Sequence, residues 1–440
     1  MCFKYLNVKF LIYFFVLILF TGIIFAQEWQ LMGLENEEIN CIEIDWSDPD
    51  IIYAGSRSDF SSGKTGKFFK SYDGGKNWRT LLNNVTVCDI DIHPVDPDII
   101  YLTLGINYLT IAGILKSTDG GEIWAEADSG VWITSEVGPR ILVIDPSNPE
   151  KLFVGTSGLS PGCLNLSTNG GNSWEFIYID SLNSVSSLAI DPVNTQNIYI
   201  GSFVDRIFNS NDGGYKWRVI SEKPEIGANV LKINIENSNI LYAGTFGYGF
   251  SLSKDYGETW NKANSGLPIN CYISDITLSK DEIFISTISD SGNLIFKSNK
   301  NTLIWEKVGN KIFNNEILSL NYSSEKNILY MGTKGIYKYQ LLTSNVINSD
   351  TKLNNMNQIK INPNPFNSST YIEYNLETQS IVKLEIYNIL GRKIRTLVNE
   401  NQNQGNYKIL FEAEGLSTGL YLCHLRTEQF TKTKKIVLIK

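Results

Sequence analysis

An eight-residue frame, SxDxGxxW, recurs six times along the chain, and its spacing constrains the fold more than any other feature. The copies read SYDGGKNW from Ser71, STDGGEIW from Ser117, STNGGNSW from Ser167, SNDGGYKW from Ser210, SKDYGETW from Ser253 and an eroded SNKNTLIW from Ser298. Successive starts lie 46, 50, 43, 43 and 45 residues apart, which is the length of a four-stranded propeller blade. Asp73, Asp119, Asn169, Asp212 and Asp255 precede Gly75, Gly121, Gly171, Gly214 and Gly257 in the five intact copies. A short polar side chain that bonds its own backbone, next to a residue tolerant of positive φ, is tight-turn chemistry. Trp78, Trp124, Trp174, Trp217 and Trp260 then open the following strand, so each box reads as a structural hairpin turn rather than a ligand site.

Each repeat reads as four strands, and the first sets the plan: 40–45, 51–55, 67–71 and 77–82. A second turn signature joins the first and second strands, as in WSDPDIIYAG and HPVDPDIIYL. First strands start near Ile42, Ile90, Ile141, Leu188, Ile233, Ile276 and Leu318, one more than the number of boxes. The last repeat stops after its third strand at Gln340. The segment around Trp29, a tryptophan with no box before it, is expected to supply the missing fourth strand and close the ring without an open edge. The expectation is an all-β chain with a seven-bladed β-propeller over 27–342. A six-bladed ring with a stray repeat is the alternative.

Lys4 and Lys9 precede an apolar run from Phe10 to Phe25 that ends at Ala26. This reads as a signal peptide over 1–26, with a retained membrane anchor as the rival. Asn, Ser, Asp, Thr and Lys dominate a linker over 343–358, and about seven short alternating strands then make a small β-sandwich over 359–440. The formal charge of −8 is unevenly spread: 27–354 holds 25 Lys and Arg against 39 Asp and Glu, and 355–440 holds 11 against 7. An acidic main domain argues against nucleic acid as partner. Cys41, Cys88, Cys163, Cys271 and Cys423 are dispersed without paired spacing, and His93 and His424 are the only histidines, so neither a disulfide framework nor a zinc site is expected. No cofactor motif is present, and a monomer is expected.

Boxes and period resemble the Asp-box, or BNR-repeat, propellers, which include sialidases, sortilin-like receptors, xyloglucan-active glycoside hydrolases and photosystem II assembly factors. The resemblance spans Glu28 to about Gln340 and implies the fold rather than a function, because this propeller hosts unrelated activities. The tail resembles the type A C-terminal sorting domain of the type IX secretion system. The matching pieces are Asn362-Pro363-Asn364-Pro365-Phe366-Asn367, Tyr387-Asn388 with Leu390-Gly391, Gly405 with Tyr407, Gly419-Leu420-Tyr421 and Lys435-Ile436-Val437-Leu438. That resemblance implies the type IX machinery as partner, passage through the membrane only during export, and a secreted or outer-surface location in a bacterium. An adhesive or spacer sandwich is the alternative.

In a four-stranded meander the boxes share one end of the ring, and loops of variable length share the other. Variable loops on a fixed scaffold are where recognition usually resides. Arg57, Asp59, Phe60, Tyr108, Trp132, Glu136, Arg140, Asp205, Arg206, Phe246, Tyr248 and Tyr272 fall on that variable end, a set suited to a sugar or a peptide. A sialidase reading needs three arginines. Arg79 and Arg218 follow box tryptophans and belong to outer strands, which leaves Arg57, Arg140 and Arg206. The Arg-Ile-Pro element of that family is absent, and seven repeats fit its six-bladed ring badly. Another glycosidase needs two facing carboxyl groups, for which Asp59, Glu136 and Asp205 are candidates. The expected function is a non-catalytic binding module for a polysaccharide, peptide or surface partner, with a secreted glycoside hydrolase as the alternative.

Overall fold

The computed structural model describes residues 28–59, 63–106, 112–134, 136–158, 164–202, 206–221, 227–341, 359–362, 364, 366–376, 378–388, 392–427 and 431–438. The signal-peptide and linker expectations lie outside these residues, as do Phe60, Tyr108, Cys163, Asp205, Pro363, Pro365 and Gly391. The chain divides into two compact units, Met1–Thr343 and Ser344–Lys440. Among the described residues there are strands and no helix.

The first repeat forms Gln30–Ile44, Ile52–Arg57, Lys67–Ser71 and Arg79–Asn83, close to the expected segments. Five further antiparallel sheets of four strands follow in simple meander order. The exception is a six-stranded ladder in which Ser319–Ser323 and Ile328–Gln340 join the first repeat through Gln30–Ile44. That long strand serves two partners. Gln30 and Leu31 pair with Lys338 and Tyr337, while Ile42–Ile44 pair with Ala54–Ile52. The register shifts between Leu31 and Glu38, where Gly33 adopts φ 117° and frees the strand to turn from one sheet to the next. Trp29 is buried against Phe313 and Tyr339, and its indole N–H donates to the Val308 carbonyl at 3.0 Å.

The apolar cores lie between sheets. Tyr53 and Phe68 of the first repeat pack with Val87, Ile90 and Leu102 of the second. Tyr101 and Ile114 pack with Leu142 and Leu152, and the pattern continues around the unit until Tyr330 and Ile336 pack with Ile42, Ile52 and Phe69. The second strands supply the largest fully buried rings, at Tyr53, Tyr101, Tyr199, Tyr242 and Tyr330.

Each of the five intact boxes is a closed hydrogen-bonded turn. Ser71 Oγ donates to Asp73 Oδ1 at 2.9 Å and accepts the Gly75 N–H at 2.8 Å, while Asp73 Oδ1 accepts the N–H groups of Lys76 and Asn77. Those bonds, led by the Asn77 side chain, hold the Asp73 carboxyl down at about 2. The same contacts recur at Ser117, Ser167, Ser210 and Ser253. Gly74 and Gly75 sit at φ 70° and 84°. In the fifth box Tyr256 takes the first of these positions at φ 59°, a conformation that L-residues adopt at a cost.

The boxes also join neighbouring repeats. The Gly120 carbonyl accepts from Tyr53 and Lys70 of the preceding repeat, the Gly170 carbonyl from Tyr101 and Lys116, and the Gly213 carbonyl from Lys151. Trp174 and Trp305 donate indole N–H groups to carbonyls of the preceding repeat, at Ala127 and Ala263, and Trp78 donates to the Met32 carbonyl, in the part of the long strand that pairs with the last repeat. Trp124 and Trp217 instead bond their own box glycines, Gly121 and Gly214.

The second unit holds two sheets. One contains Lys360–Asn362, Ser369–Leu376 and Gly405–Glu412, and the other Lys393–Gln402, Ser380–Asn388, Gly419–Arg426 and Thr431–Leu438. Ile372, Tyr374 and Phe411 of the first share a core with Val382, Leu384, Cys423 and Ile436 of the second. The asparagine-rich motif that opens this unit clasps the last strand. Asn364 Oδ1 accepts the Val437 N–H at 2.8 Å, the Phe366 N–H donates to the Val437 carbonyl at 2.9 Å, and the buried Phe366 ring packs on Phe411. The following Asn367 is exposed. Gly419 opens the Gly419–Arg426 strand, and the buried Tyr421 donates its hydroxyl to the Ser417 carbonyl at 2.8 Å.

Candidate functional site

Backbone bonds fix which turns share an end of the first unit. The Gly74 N–H donates to the Asp50 carbonyl, Gly120 to Asp98, Gly170 to Glu150 and Gly213 to Gln196. Each box is thereby tied to the turn between the first and second strands of its own repeat, so both turns lie at one end, the box end. The remaining loops lie at the other, the loop end.

A cavity of about 820 Å³ opens through the middle of the unit, lined by the first strand of every sheet. Of the expected ligand-face residues, Arg57, Glu136, Arg140 and Tyr272 line this cavity, together with Phe246. Phe246 and Tyr272 form a ring pair at 5.0 Å, and Phe246 is exposed. Arg57 is held between Glu38 at 2.8 Å and Glu316 at 3.3 Å, while Arg140 and Glu136 are exposed.

The other expected residues are not gathered there. Trp132 packs edge-on against Phe176, and Tyr248 lies under Lys262 Nζ at 5.1 Å; both partners belong to fourth strands. Asp59 forms an isolated bridge with Lys64, and the Arg206 carbonyl accepts the Ser202 N–H. Arg79 and Arg218 begin fourth strands and pair with Glu122 and Glu258.

Deeper in the cavity lie charges that reading the chain by motif does not single out: Glu43, Asp89, Lys232 and Asp275 line it. The carboxylates stitch neighbouring sheets. Asp89 accepts the Leu142 N–H at 3.0 Å, Asp275 the Leu320 N–H at 2.7 Å, and Asp91 the Ile144 N–H at 3.2 Å, each bond reaching the first strand of the next repeat. An innermost strand has an unpaired edge, and these side chains supply acceptors that the ladder cannot. Neutral groups also bridge neighbouring first strands: Asn40 donates to the Val87 carbonyl, and Ser319 accepts the Ile42 N–H. Burial raises the Glu43 carboxyl to about 8 and that of Asp89 to about 6, against the opposing pull of Lys232 and the bonds each accepts. Burial likewise raises Asp91 and Asp275. The signal was present as period-two alternation in Ile42-Glu43-Ile44 and Asp89-Ile90-Asp91, which turns acids toward one face of an otherwise buried strand.

Cys41, Cys88, Cys271 and Cys423 are free, and burial pushes the Cys88 thiol up to about 11. Among the described residues no group of three or more His, Cys, Asp or Glu is arranged to hold a metal ion.

No curated protein matches the chain significantly. Residues 360–440 match the secretion system C-terminal sorting domain family. The tail is a sorting domain. It indicates type IX export and attachment at the bacterial cell surface. Among solved structures, YCF48 from Cyanidioschyzon merolae is similar with a TM-score of 0.54 at 14% identity, over 71% of this chain and 98% of that one. A second YCF48 structure, with a TM-score of 0.54 at 13% identity, is of that protein bound to D1 peptide. The GH74 enzyme of Niastella koreensis aligns with a TM-score of 0.57 at 16% identity, over 94% of this chain and 75% of that one. These are β-propellers, and at such identity the likeness speaks to the fold alone.

Proposed function

We propose that the chain is an exported, non-catalytic binding protein. In this reading a seven-bladed propeller of the Asp-box class occupies 27–342, after a signal peptide over 1–26. A linker over 343–358 leads to a β-sandwich sorting domain over 359–440 that engages the type IX machinery. Seven inter-sheet cores in the first unit support the blade count, and two sheets around one core support the sandwich. The protein acts as a monomer and holds a polysaccharide, peptide or surface partner at its loop end.

One contrast at the cavity carries the binding reading. The mouth presents Arg140 and the Phe246–Tyr272 pair, whereas beneath it Asp89 and Asp275 are committed to backbone N–H groups, Glu43 accepts from the Asn321 side chain, and Glu38 and Glu316 pair with Arg57. Exposed aromatic and cationic groups on a rigid frame suit recognition, and hydrolysis needs two carboxyl groups at liberty. YCF48 with its D1 peptide makes a peptide a natural first ligand class to test.

Arg140→Ala and Tyr272→Ala, probed on polysaccharide and peptide arrays, test the reading. The expected result is retention by the parent, loss in both variants and no sugar released. The glycoside hydrolase reading has one observation in its favour: with its carboxyl raised to about 8, Glu43 is protonated at neutral pH, the state a general acid requires. Release of reducing sugar that disappears in Glu43→Gln or Glu136→Gln would replace the binding reading with that one.

A further inference from the structure

The box end, which the loop-end reading leaves without a role, carries a second feature. Four turns between first and second strands expose an apolar residue one or two positions after the side chain that anchors the turn: Trp46 is 41% exposed, Val95 54%, Val193 77% and Ile235 67%. Scattered apolar surface residues are ordinary. The turns that bear these four are bonded in pairs, the first to the second and the fourth to the fifth. Trp46 Nε1 donates to the His93 carbonyl of the next turn at 3.1 Å, Ser238 Oγ donates to Asp191 Oδ1 at 2.7 Å, and Ser147 and Thr195 hydroxyls meet at 3.0 Å. Lys326 donates to Asp50 at 2.6 Å and joins the last turn to the first.

The turns are also preorganised. Asp45, Asp145 and Asp191 each accept two N–H groups of their own turn, and His93 Nδ1 does the same in the second repeat. A surface held in this way gives up little freedom when it is covered.

The charge of these turns is one-sided, whereas the boxes at the same end expose Lys76, Lys216 and Lys254. Asp48, Asp96, Asp98, Glu150, Glu236 and Glu325 are exposed on these turns, and Lys280 is the one exposed cation there among the described residues. Lys151 and Lys326 are only part-exposed, and both are engaged, with the Gly213 carbonyl and Asp50. Crowding by Asp96, Asp45 and Asp119 adds to burial in raising the Asp98 carboxyl.

We infer that these turns at the box end form a docking surface for a basic protein segment carrying apolar anchors. Acidic turns exclude nucleic acid and anionic lipid headgroups as occupants and steer a cationic one. The exposed apolar residues of these turns supply the contacts that charge alone cannot.

The test uses the mature full-length chain and a synthetic amphipathic Lys/Leu peptide as probe, read by titration calorimetry at low and high salt. Val95→Ser/Val193→Ser/Ile235→Ser removes anchors, and Asp48→Asn/Asp96→Asn/Glu236→Gln removes charge while leaving acceptors for the turn bonds. The expected result is binding by the parent that weakens about tenfold or more in each triple variant, with the salt dependence reduced in the second alone. Val193→Ser, at the most exposed of the four sites, serves as the apolar variant if the triple does not fold. Equal binding by parent and variants, or no binding by the parent, overturns the inference. Self-association of the parent that the apolar variant abolishes would do so too, making the occupant a second copy of the chain.

Discussion

The two ends of the first unit are built on opposite principles. At the box end each turn is fixed by its own Ser, Asp and Gly and by carbonyl bonds to the preceding repeat, as at Gly120 and Gly170. At the loop end the side chains rest against single neighbours: Trp132 against Phe176, Tyr248 beneath Lys262, Phe246 against Tyr272. The box end therefore invests its polar groups in the frame, and the loop end carries side chains such as Trp132, Arg140 and Phe246 that stay exposed.

Two tryptophans put this contrast to its hardest test. Trp29 is 6% exposed and bonds the Val308 carbonyl across the closure, while Trp132 is 43% exposed. Trp29→Ala is expected to cost about 3–5 kcal/mol in urea unfolding, and Trp132→Ala about 1 kcal/mol or less. Equal costs would erase the distinction.

The next largest effect concerns the cavity carboxylates and is read by pH. The folded carboxyls of Glu43 and Asp89, raised to about 8 and about 6, keep protons that the unfolded chain has released above about pH 4. Where the folded state binds more protons, stability falls as pH rises. Melting should therefore move to lower temperature between about pH 5 and pH 8. Asp89→Asn, which retains an acceptor for the Leu142 N–H, should flatten that slope and add about 1–2 kcal/mol at pH 8. A slope unchanged in the variant would remove Asp89 from the account.

Smaller effects separate the ends again. Ser71→Ala strips one box of its bonds to Asp73 and Gly75 and should cost about 1–2 kcal/mol. Arg140→Ala should leave stability within about 0.5 kcal/mol while abolishing retention on the array. A reversal of that pair, with Arg140 structural and Ser71 silent, would exchange the roles assigned to the two ends.

The box end was the legible one because its chemistry is local. Asp73, Gly75 and Trp78 announce a turn within eight residues, and a box tryptophan without its box, Trp29, marks the closing strand. The cavity carboxylates were harder to find, since Asp89 and Asp275 take their meaning from amides of the next repeat, Leu142 and Leu320. Which loop residues reach the cavity was not legible either. Glu136 and Trp132 sit four positions apart, yet packing on Phe176 takes only the tryptophan away from the cavity lining. In the tail the motif around Phe366 was readable, but its clasp on Val437 joins residues far apart in the chain.

Hydrogen exchange across the closing strands tests the central claim, a ring shut by its own N-terminal segment, most directly. In the mature chain the amides of Ile336–Lys338, paired with Gln30–Gly33, should exchange as slowly as those of Ile42–Ile44. Removing residues 28–34 should release them together with the Ser319–Ser323 strand. Protection that survives the deletion would mean that the ring closes by some other pairing.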